Sequence, residues 1–520
     1  MSKKNTIIHF TILSLIVILA FVVRIYNIDS VPSGIYPDEA NNGTNAFDAM
    51  QAGHYPWFYP DNNGREGLFL NIIALLFKFF GVSVITLKLP AIMMGTLTVI
   101  GVYFLARELF ISKPRLALIA SYLTAVSFWA INFSRISFRA NMMLPVLTFA
   151  FYFFFRGIRT KKILDFIISG AIFGLGFHTY IAFRIAPALA IVLFILLTIQ
   201  GGRTFLRNYW TKILTFILCA GVVASPIFYT FHQHPEYLTS RSGDISVFAP
   251  SQNTLIETLL HTVSTSLLKY NVHGDQNWRH GLPSLPTLEP LVGIMFFCGI
   301  LLSAWLFIYF FYRRIIHKTT NRKLVTHGFL IAWFFAFLAP EFMTTEGLPH
   351  SLRSLGTLPV AYIFAAFFIN YLLERAQHRS HKHFIFTSVL TITLLVYVGF
   401  FGIMQYHVLW ATSAEQAHAF NKNLTDIAHY IPTLPTATPI YVVTSSMERL
   451  PIRLLNIENK NIIFIEKNEI DKIDTTQFFY LIAPYETDII ISSLSQKSTL
   501  TIEPIITSLE SSFTLICPLK

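Results

Sequence analysis

Apolar blocks of roughly twenty residues alternate along the chain with short polar connectors. A helix rises 1.5 Å per residue, so about twenty residues cross roughly 30 Å of hydrocarbon, and each block has the length of a membrane span. Taken as spans, the blocks predict about eleven helices, near 7–26, 85–108, 115–133, 143–157, 163–179, 185–200, 212–230, 287–312, 324–340, 354–373 and 384–403. The first block follows a basic start, MSKKNT, but runs long and lacks a small-residue cleavage site before the next polar stretch. It reads as an uncleaved first span, not a signal peptide.

Threaded alternately, the connectors sort by charge. One side receives MSKK, 107–115, RGIRTKK (156–162), GGRTFLRNYWTK (201–212), YRRIIHKTTNRK (312–323) and ERAQHRSHKH (374–383), all basic. The positive-inside rule makes that side, and the N-terminus, cytoplasmic. The other side receives 27–84, 133–142, 178–187, 231–286, 341–354 and a tail from about 404, which together carry carboxylates, histidines and paired arginines. Chemistry is therefore expected on the extracytoplasmic face of a cytoplasmic membrane. Within the first loop, GLFLNIIALLFKFFG (67–81) is short and interrupted by Lys78. Counting it as a span would invert every later loop, so it is assigned as an interfacial helix. In the tail, 441–445, 461–466 and 478–484 read as strands with helical stretches between them. The expected fold is mainly α: a polytopic transmembrane bundle over 1–403, with a small external α/β domain over 404–520.

Composition agrees. The chain is 53% hydrophobic and only 13% charged, whereas soluble domains are about 25% charged. The net charge of +11 is scattered among connectors instead of forming one stripe, so it reports topology and no nucleic-acid partner is expected. Cys219 and Cys298 lie in apolar blocks and Cys517 near the end, so neither a disulfide nor a cysteine metal site is expected.

The strongest local signal is IYPDEANNGTNAFDAMQAGHYP (35–56). Pro37 suits the first turn of a helix and Gly53 its end. Asp38 then shares a face with Asn42, while Glu39 points about 100° away. Acids in a first turn also simply stabilise the helix dipole. In YPDNNGREGLFL (59–70), Glu66 offers a second acid and Arg65 a cation for a phosphate, or a cap and a snorkelling side chain. Arg135 and Arg139 are four apart; on one helix face they would repel unless an anion such as phosphate sat between them. His178, Tyr180 and Arg184 come from the next outward turn. In HGDQNWRHGLPSLP (273–286), Trp278 offers a ring to stack on a sugar or to sit in an interfacial belt. Asp275, Asn277, Arg279 and His280 supply hydrogen-bonding capacity for a hydroxylated ligand. His273, Asp275 and His280 fit no standard zinc spacing. In LPHSLRSLG (348–356), His350 and Arg353 offer a phosphate clamp or an ordinary helix-terminus ion site.

The PDEA segment after the first span, the GREG segment before the interfacial helix and the HSLRS segment near a late span together resemble the GT-C superfamily of membrane glycosyltransferases. Within it the resemblance is to the family 39-like group of protein O-mannosyltransferases and lipid A aminoarabinose transferase. It covers roughly residues 5 to 400 and leaves the tail outside. The resemblance implies a polyprenyl-phosphate-linked sugar donor, an external lipid, glycan or protein acceptor, and inverting transfer. It carries the role of catalytic base to Asp38, with Glu39 beside it, and contacts to the carrier phosphate to His350 and Arg353. No cofactor is certain from it, with a divalent metal ion as the one possibility. A transporter or lipid flippase is the rival reading, but such proteins place ionisable residues near mid-membrane in repeated halves, and no repeat is visible here. A non-catalytic scaffold would also present a polytopic bundle with a tail, and a polysaccharide polymerase or ligase would share the topology while using diphosphate-linked donors.

Overall fold

The computed structural model describes residues 3–238, 246–248, 254–283, 285–459, 461–485, 487–495 and 499–519. Among them, eight helices are long and apolar enough to cross a membrane, or nine if one bent pair counts as a span. The remaining expected spans are accounted for by irregularities. Ile181–Gln233 runs on as one 53-residue helical stretch, but Gly202 breaks it at φ 60° and ψ −151°, a conformation only glycine adopts freely. Ile163–Gly176 is a 14-residue helix, about 21 Å long and short of a full crossing. Leu68–Phe80, the expected interfacial element, has 13 residues and is likewise too short to span.

The bent pair shows how a break is made tolerable. Pro114–Val126 and Phe128–Arg135 meet at 55°. Ser127 caps the second helix by accepting from Ala130 N, and the carbonyls of Thr124 and Ala125 accept from the buried Arg24 guanidinium at 3.3 and 2.9 Å. Backbone groups freed at a helix end inside apolar surroundings need such partners.

Apolar side chains cover the outside as well as filling the core. Phe297, Leu301, Trp305 and Ile308 on Pro290–His317, and Phe386, Val389, Leu390 and Phe400 on His381–Met404, are exposed, as lipid-facing side chains must be. Leu358–Arg379 is central instead, with Tyr362 through Ala366 fully buried. It packs closely on Pro290–His317 because residue 299 is glycine: a Cβ there would lie 2.1 Å from the Phe364 carbonyl oxygen. The protein is a multi-pass membrane protein with a mainly α helical bundle.

The chain divides into two compact units. The first comprises Met1–Tyr26, Pro56–Phe69 and Pro90–Tyr406; the second comprises Asn27–Tyr55, Leu70–Leu89 and His407–Lys520. The second therefore joins the tail to two pieces of the first loop, which a single boundary at 403/404 leaves with the membrane bundle. Within the first unit, two-residue strands β1 (Phe58–Tyr59) and β2 (Arg65–Glu66) form an antiparallel hairpin. Its turn runs through Asn62, Asn63 and Gly64, all at positive φ, which explains the Asn-Asn-Gly sequence.

Within the second unit the tail forms a five-stranded sheet, in the order β4-β3-β5-β7-β6, from β3 (Ile440–Val443), β4 (Ile462–Ile465), β5 (Tyr480–Ala483), β6 (Leu500–Ile506) and β7 (Ser512–Pro518). The first three are parallel to one another, and β6 and β7 add an antiparallel hairpin not expected from the sequence pattern. Tyr441, Val443, Leu481 and Ala483 enter one core while Ile440, Val442 and Ile482 enter the other. That alternation, with both faces covered, explains why the parallel strands read as unbroken apolar runs.

Candidate functional site

The first unit holds two clusters of chemistry-bearing side chains. One is built on the β1–β2 hairpin. Glu66 is buried and accepts from Arg139 Nε at 2.7 Å, and Arg139 Nη2 donates to the Gly64 carbonyl at 3.2 Å. The Arg139 guanidinium lies 5.4 Å over the Tyr180 ring. Arg65, also buried, donates to Asp61 Oδ2 at 2.6 Å. Both acid and cation were expected at the start of a helix; they sit on a strand, and the helix begins after them at Leu68. His178 joins from the side, its Nε2 2.9 Å from the Val223 carbonyl and its ring 5.4 Å from Trp57. Arg184 Nη1 donates to the Leu238 carbonyl at 3.2 Å.

Arg135 departs from expectation. The helix carrying it ends there, with Ile136 extended, and the next helix begins at Ala140, so Arg135 and Arg139 do not share a helix face. Arg135 is fully buried and donates to the carbonyls of Val23 and Arg24, at 3.2 and 2.7 Å, and to the Tyr406 hydroxyl at 3.2 Å. Its guanidinium closes the end of the first helix, which argues for a structural assignment.

The second cluster comes from the 273–286 loop and the HSLRS turn. Nested Asx turns shape the loop: Asp275 Oδ1 accepts from Asn277 N at 2.9 Å, and Asn277 Oδ1 from Arg279 N at 3.0 Å. Asp275 Oδ2 lies 2.9 Å from His280 Nδ1 and accepts from Ser351 N at 2.6 Å. His280 stacks on Phe133, with ring centroids 5.6 Å apart, and meets His350 at 4.7 Å. Asn132 Nδ2 fixes the loop through the Arg279 carbonyl at 2.8 Å. Trp278 is half-buried. Arg353 Nη1 donates to Thr344 Oγ1 at 2.7 Å and to the Glu346 carbonyl at 2.5 Å. Asp275, Asn277, His350 and Arg353 line a cavity of about 410 Å³. Burial, reinforced by His280, holds His350 down at about 3 against the pull of Asp275, so its imidazole is neutral at physiological pH. Burial works against charge on Asp275 too, but the hydrogen bond from His280 leads the effects that hold it below the usual carboxylate range.

Sequence reasoning missed what stands behind this turn. Lys269 and Glu341 are fully buried and ion-paired; Lys269 also donates to Ser354 Oγ, and Glu341 Oε1 accepts from His350 N at 3.0 Å. Burial lowers Lys269 below the ordinary lysine value while Glu341 opposes the shift. Lys269 ends a short apolar helix and Glu341 lies on Arg322–Phe342. A charge among otherwise apolar residues was the available signal for both.

In the second unit, Pro37–Ala52 is the expected helix, with Pro37 at its first turn and Gly53 closing it at φ 63°. Asp38 is half-buried, whereas Glu39 and Asn42 are buried. The helix packs on the tail's Arg449–Leu455: at Gly43 a Cβ would meet Leu454 Cδ2 at 2.6 Å. Just before it, Ile35 N donates to Thr425 Oγ1 at 3.0 Å and Ser33 Oγ to Gln416 Oε1 at 2.8 Å. The tail thus supports the acid-bearing segment directly.

The chain has the GT-C fold. Residues 68–229 match the family described as dolichyl-phosphate-mannose-protein mannosyltransferase. The structure is similar to that of ArnT from Cupriavidus metallidurans bound to undecaprenyl phosphate, with TM-score 0.57, 13% identity, and coverage of 100% of this chain and 99% of that one. It is also similar to ArnT of the same organism in the apo state, with TM-score 0.58, 13% identity and 99% of each chain covered. No curated protein matches the sequence. The family match and the shared fold support the superfamily resemblance, although the matched stretch contains none of the PDEA, GREG and HSLRS segments that carry it. The likeness in fold also extends through the tail, beyond the stretch ending near residue 400.

Proposed function

We propose that this protein transfers a sugar from a polyprenyl-phosphate carrier to an acceptor on the extracytoplasmic face of a cytoplasmic membrane, with inversion at the anomeric carbon. The observation that carries the reading is the full-length likeness in fold to an ArnT bound to undecaprenyl phosphate, alongside the family match at 68–229. In the proposed reaction Asp38 accepts the proton of the acceptor hydroxyl as its oxygen attacks the anomeric carbon. The bond from that carbon to the carrier phosphate breaks, and the phosphate leaves as an anion. Glu39, next to Asp38 on its helix, and Glu66, on the β1–β2 hairpin, are the further acids proposed for the reaction. Arg139, Arg184, Arg353 and His350 are the groups proposed to contact phosphate and sugar, the guanidinium groups supplying positive charge beside the phosphate oxygens.

Asp275, His280 and His350 are the residues that would hold a divalent cation, since their ligand atoms lie within 4.8 Å of one another. Imidazole and carboxylate donors suit zinc-like ions better than magnesium. Such an ion would tie the 273–286 loop to the HSLRS turn, and no step of the transfer is routed through it.

The test is Asp38→Asn in proteoliposomes supplied with polyprenyl-phosphate sugars, reading release of the free carrier phosphate. A loss of about a hundredfold or more is expected for removal of a general base; near-normal transfer removes Asp38 from the mechanism.

A further inference from the structure

The C-terminal ends of the three parallel strands in the tail meet around a cavity of about 500 Å³, within the range of roughly 300–1,000 Å³ typical of small-molecule sites. Its walls come from the segments that leave those strands: Thr444, Ser445, Ser446 and Glu448 after β3, Glu466, Lys467 and Asn468 after β4, and Tyr485 after β5. In the sheet order, β3 stands between β4 and β5, so the chain steps from β3 out to β4 and then crosses back over β3 to reach β5 on its other side. In open α/β sheets that reversal opens the crevice where ligands bind.

Thr444 marks the floor. Its amide extends the ladder to the Ile465 carbonyl at 3.0 Å. The side chain is 6% exposed, and its Oγ1 has no hydrogen-bond partner among the described residues. A buried hydroxyl without a partner is costly, and a ligand hydroxyl would satisfy it. Charge selects the class of ligand. Two carboxylates, Glu448, which accepts from Ser445 N and Oγ at 3.0 and 2.7 Å, and Glu466, share the lining with the one ammonium of Lys467, and the segment leaving β3, TSSMERL (444–450), contains no glycine to bring backbone amides around a phosphate. The lining is otherwise hydroxyl and amide, with the half-open ring of Tyr485, 43% exposed, available for stacking on a sugar face.

We propose that this crevice is a binding site for a neutral sugar unit, held by Thr444 and Ser446 and covered by Tyr485. It rests on residues of the tail alone and stands whether or not the transferase reading does.

The experiment uses the full chain in nanodiscs and saturation-transfer NMR with the methyl glycosides of glucose, mannose, arabinose and N-acetylglucosamine, with glucose 6-phosphate as the charged control. Saturation transfer to at least one neutral glycoside is expected, with none to glucose 6-phosphate. Thr444→Val and Tyr485→Ala are each expected to weaken binding about tenfold. Tyr485 is exposed, so its variant reads the site without disturbing a core. The proposal is overturned if no neutral glycoside shows transfer, if the signal persists unchanged in both variants, or if glucose 6-phosphate binds more tightly than the neutral probes.

Discussion

Lys269 and Glu341 show what a buried charge does in this protein. Each is 0% exposed, and desolvating an ion pair is expensive enough that such a pair adds little net stability over apolar neighbours of the same shape. What it does here is orient: Glu341 holds the His350 amide and Lys269 holds Ser354, which fixes the turn between them. Lys269→Met is therefore expected to destabilise the protein by about 3–5 kcal/mol by stranding a buried carboxylate, while Lys269→Met with Glu341→Leu costs much less. Thermal unfolding in nanodiscs of the single and double variants checks this; equal losses would show that the charges do not act as a pair. Arg139 poses the complementary case. Its Nε and Nη2 grip Glu66 and Gly64 at once, a two-point hold that a lysine ammonium does not reproduce. Arg139→Lys is expected to loosen the hairpin and lower transfer about tenfold or more, read as faster proteolysis between Asp61 and Gly64 together with reduced carrier release. Full activity with a protected hairpin would count against this role.

At the scale of elements, the spans were readable because length and apolarity are both imposed by the bilayer. So was the Pro37–Ala52 helix, where Pro at the start and Gly at the end punctuate the chain. Three features were not readable. The bend at Ser127 lies inside an apolar stretch and is stabilised by Arg24, which holds the Thr124 and Ala125 carbonyls from far away in sequence, so no local pattern reports it. The β1–β2 hairpin has only two residues per strand, too few for a period-two signal to emerge. The β6–β7 hairpin escapes a pattern-based reading because β6 mixes Thr501, Glu503 and Pro504 among its apolar residues, as an edge strand does. The site followed the same division: Asp275, His280 and His350 each stand out as polar groups beside apolar blocks, but their convergence depends on the fold. Close helix packing gives the prediction at this scale. Gly299 lets Pro290–His317 approach the Phe364 backbone, and Gly299→Leu must push that backbone aside. Gly299→Ala already places a Cβ against that backbone, so it and Gly299→Leu are both expected to unfold at clearly lower temperatures than the wild type in the same lipid; an unchanged unfolding temperature for Gly299→Ala would show that the contact does not limit packing.

At the scale of the whole molecule, the tail and the first loop form one compact unit although a long stretch of the chain, most of the membrane bundle, lies between them in sequence. The helix bearing Asp38 and Glu39 rests on Arg449–Leu455 through Gly43, and the stretch of chain leading into it is hydrogen-bonded to Gln416 and Thr425. Gly43 sits directly against Leu454, so removing the tail would uncover the helix at that point. A chain ending at residue 412 keeps every helix of the bundle but loses this support. It is expected to insert and purify as a membrane protein, to lose carrier release by about a hundredfold or more through misplacement of the acid, and to be cleaved rapidly within 37–52. Trypsin does not serve there, because the segment contains neither lysine nor arginine; an acid-specific protease cutting after Asp38, Glu39 or Asp48 reads it. If the truncated chain transfers normally and its 37–52 segment remains protected, the tail is an independent module and its contacts with the acid-bearing helix carry no functional consequence.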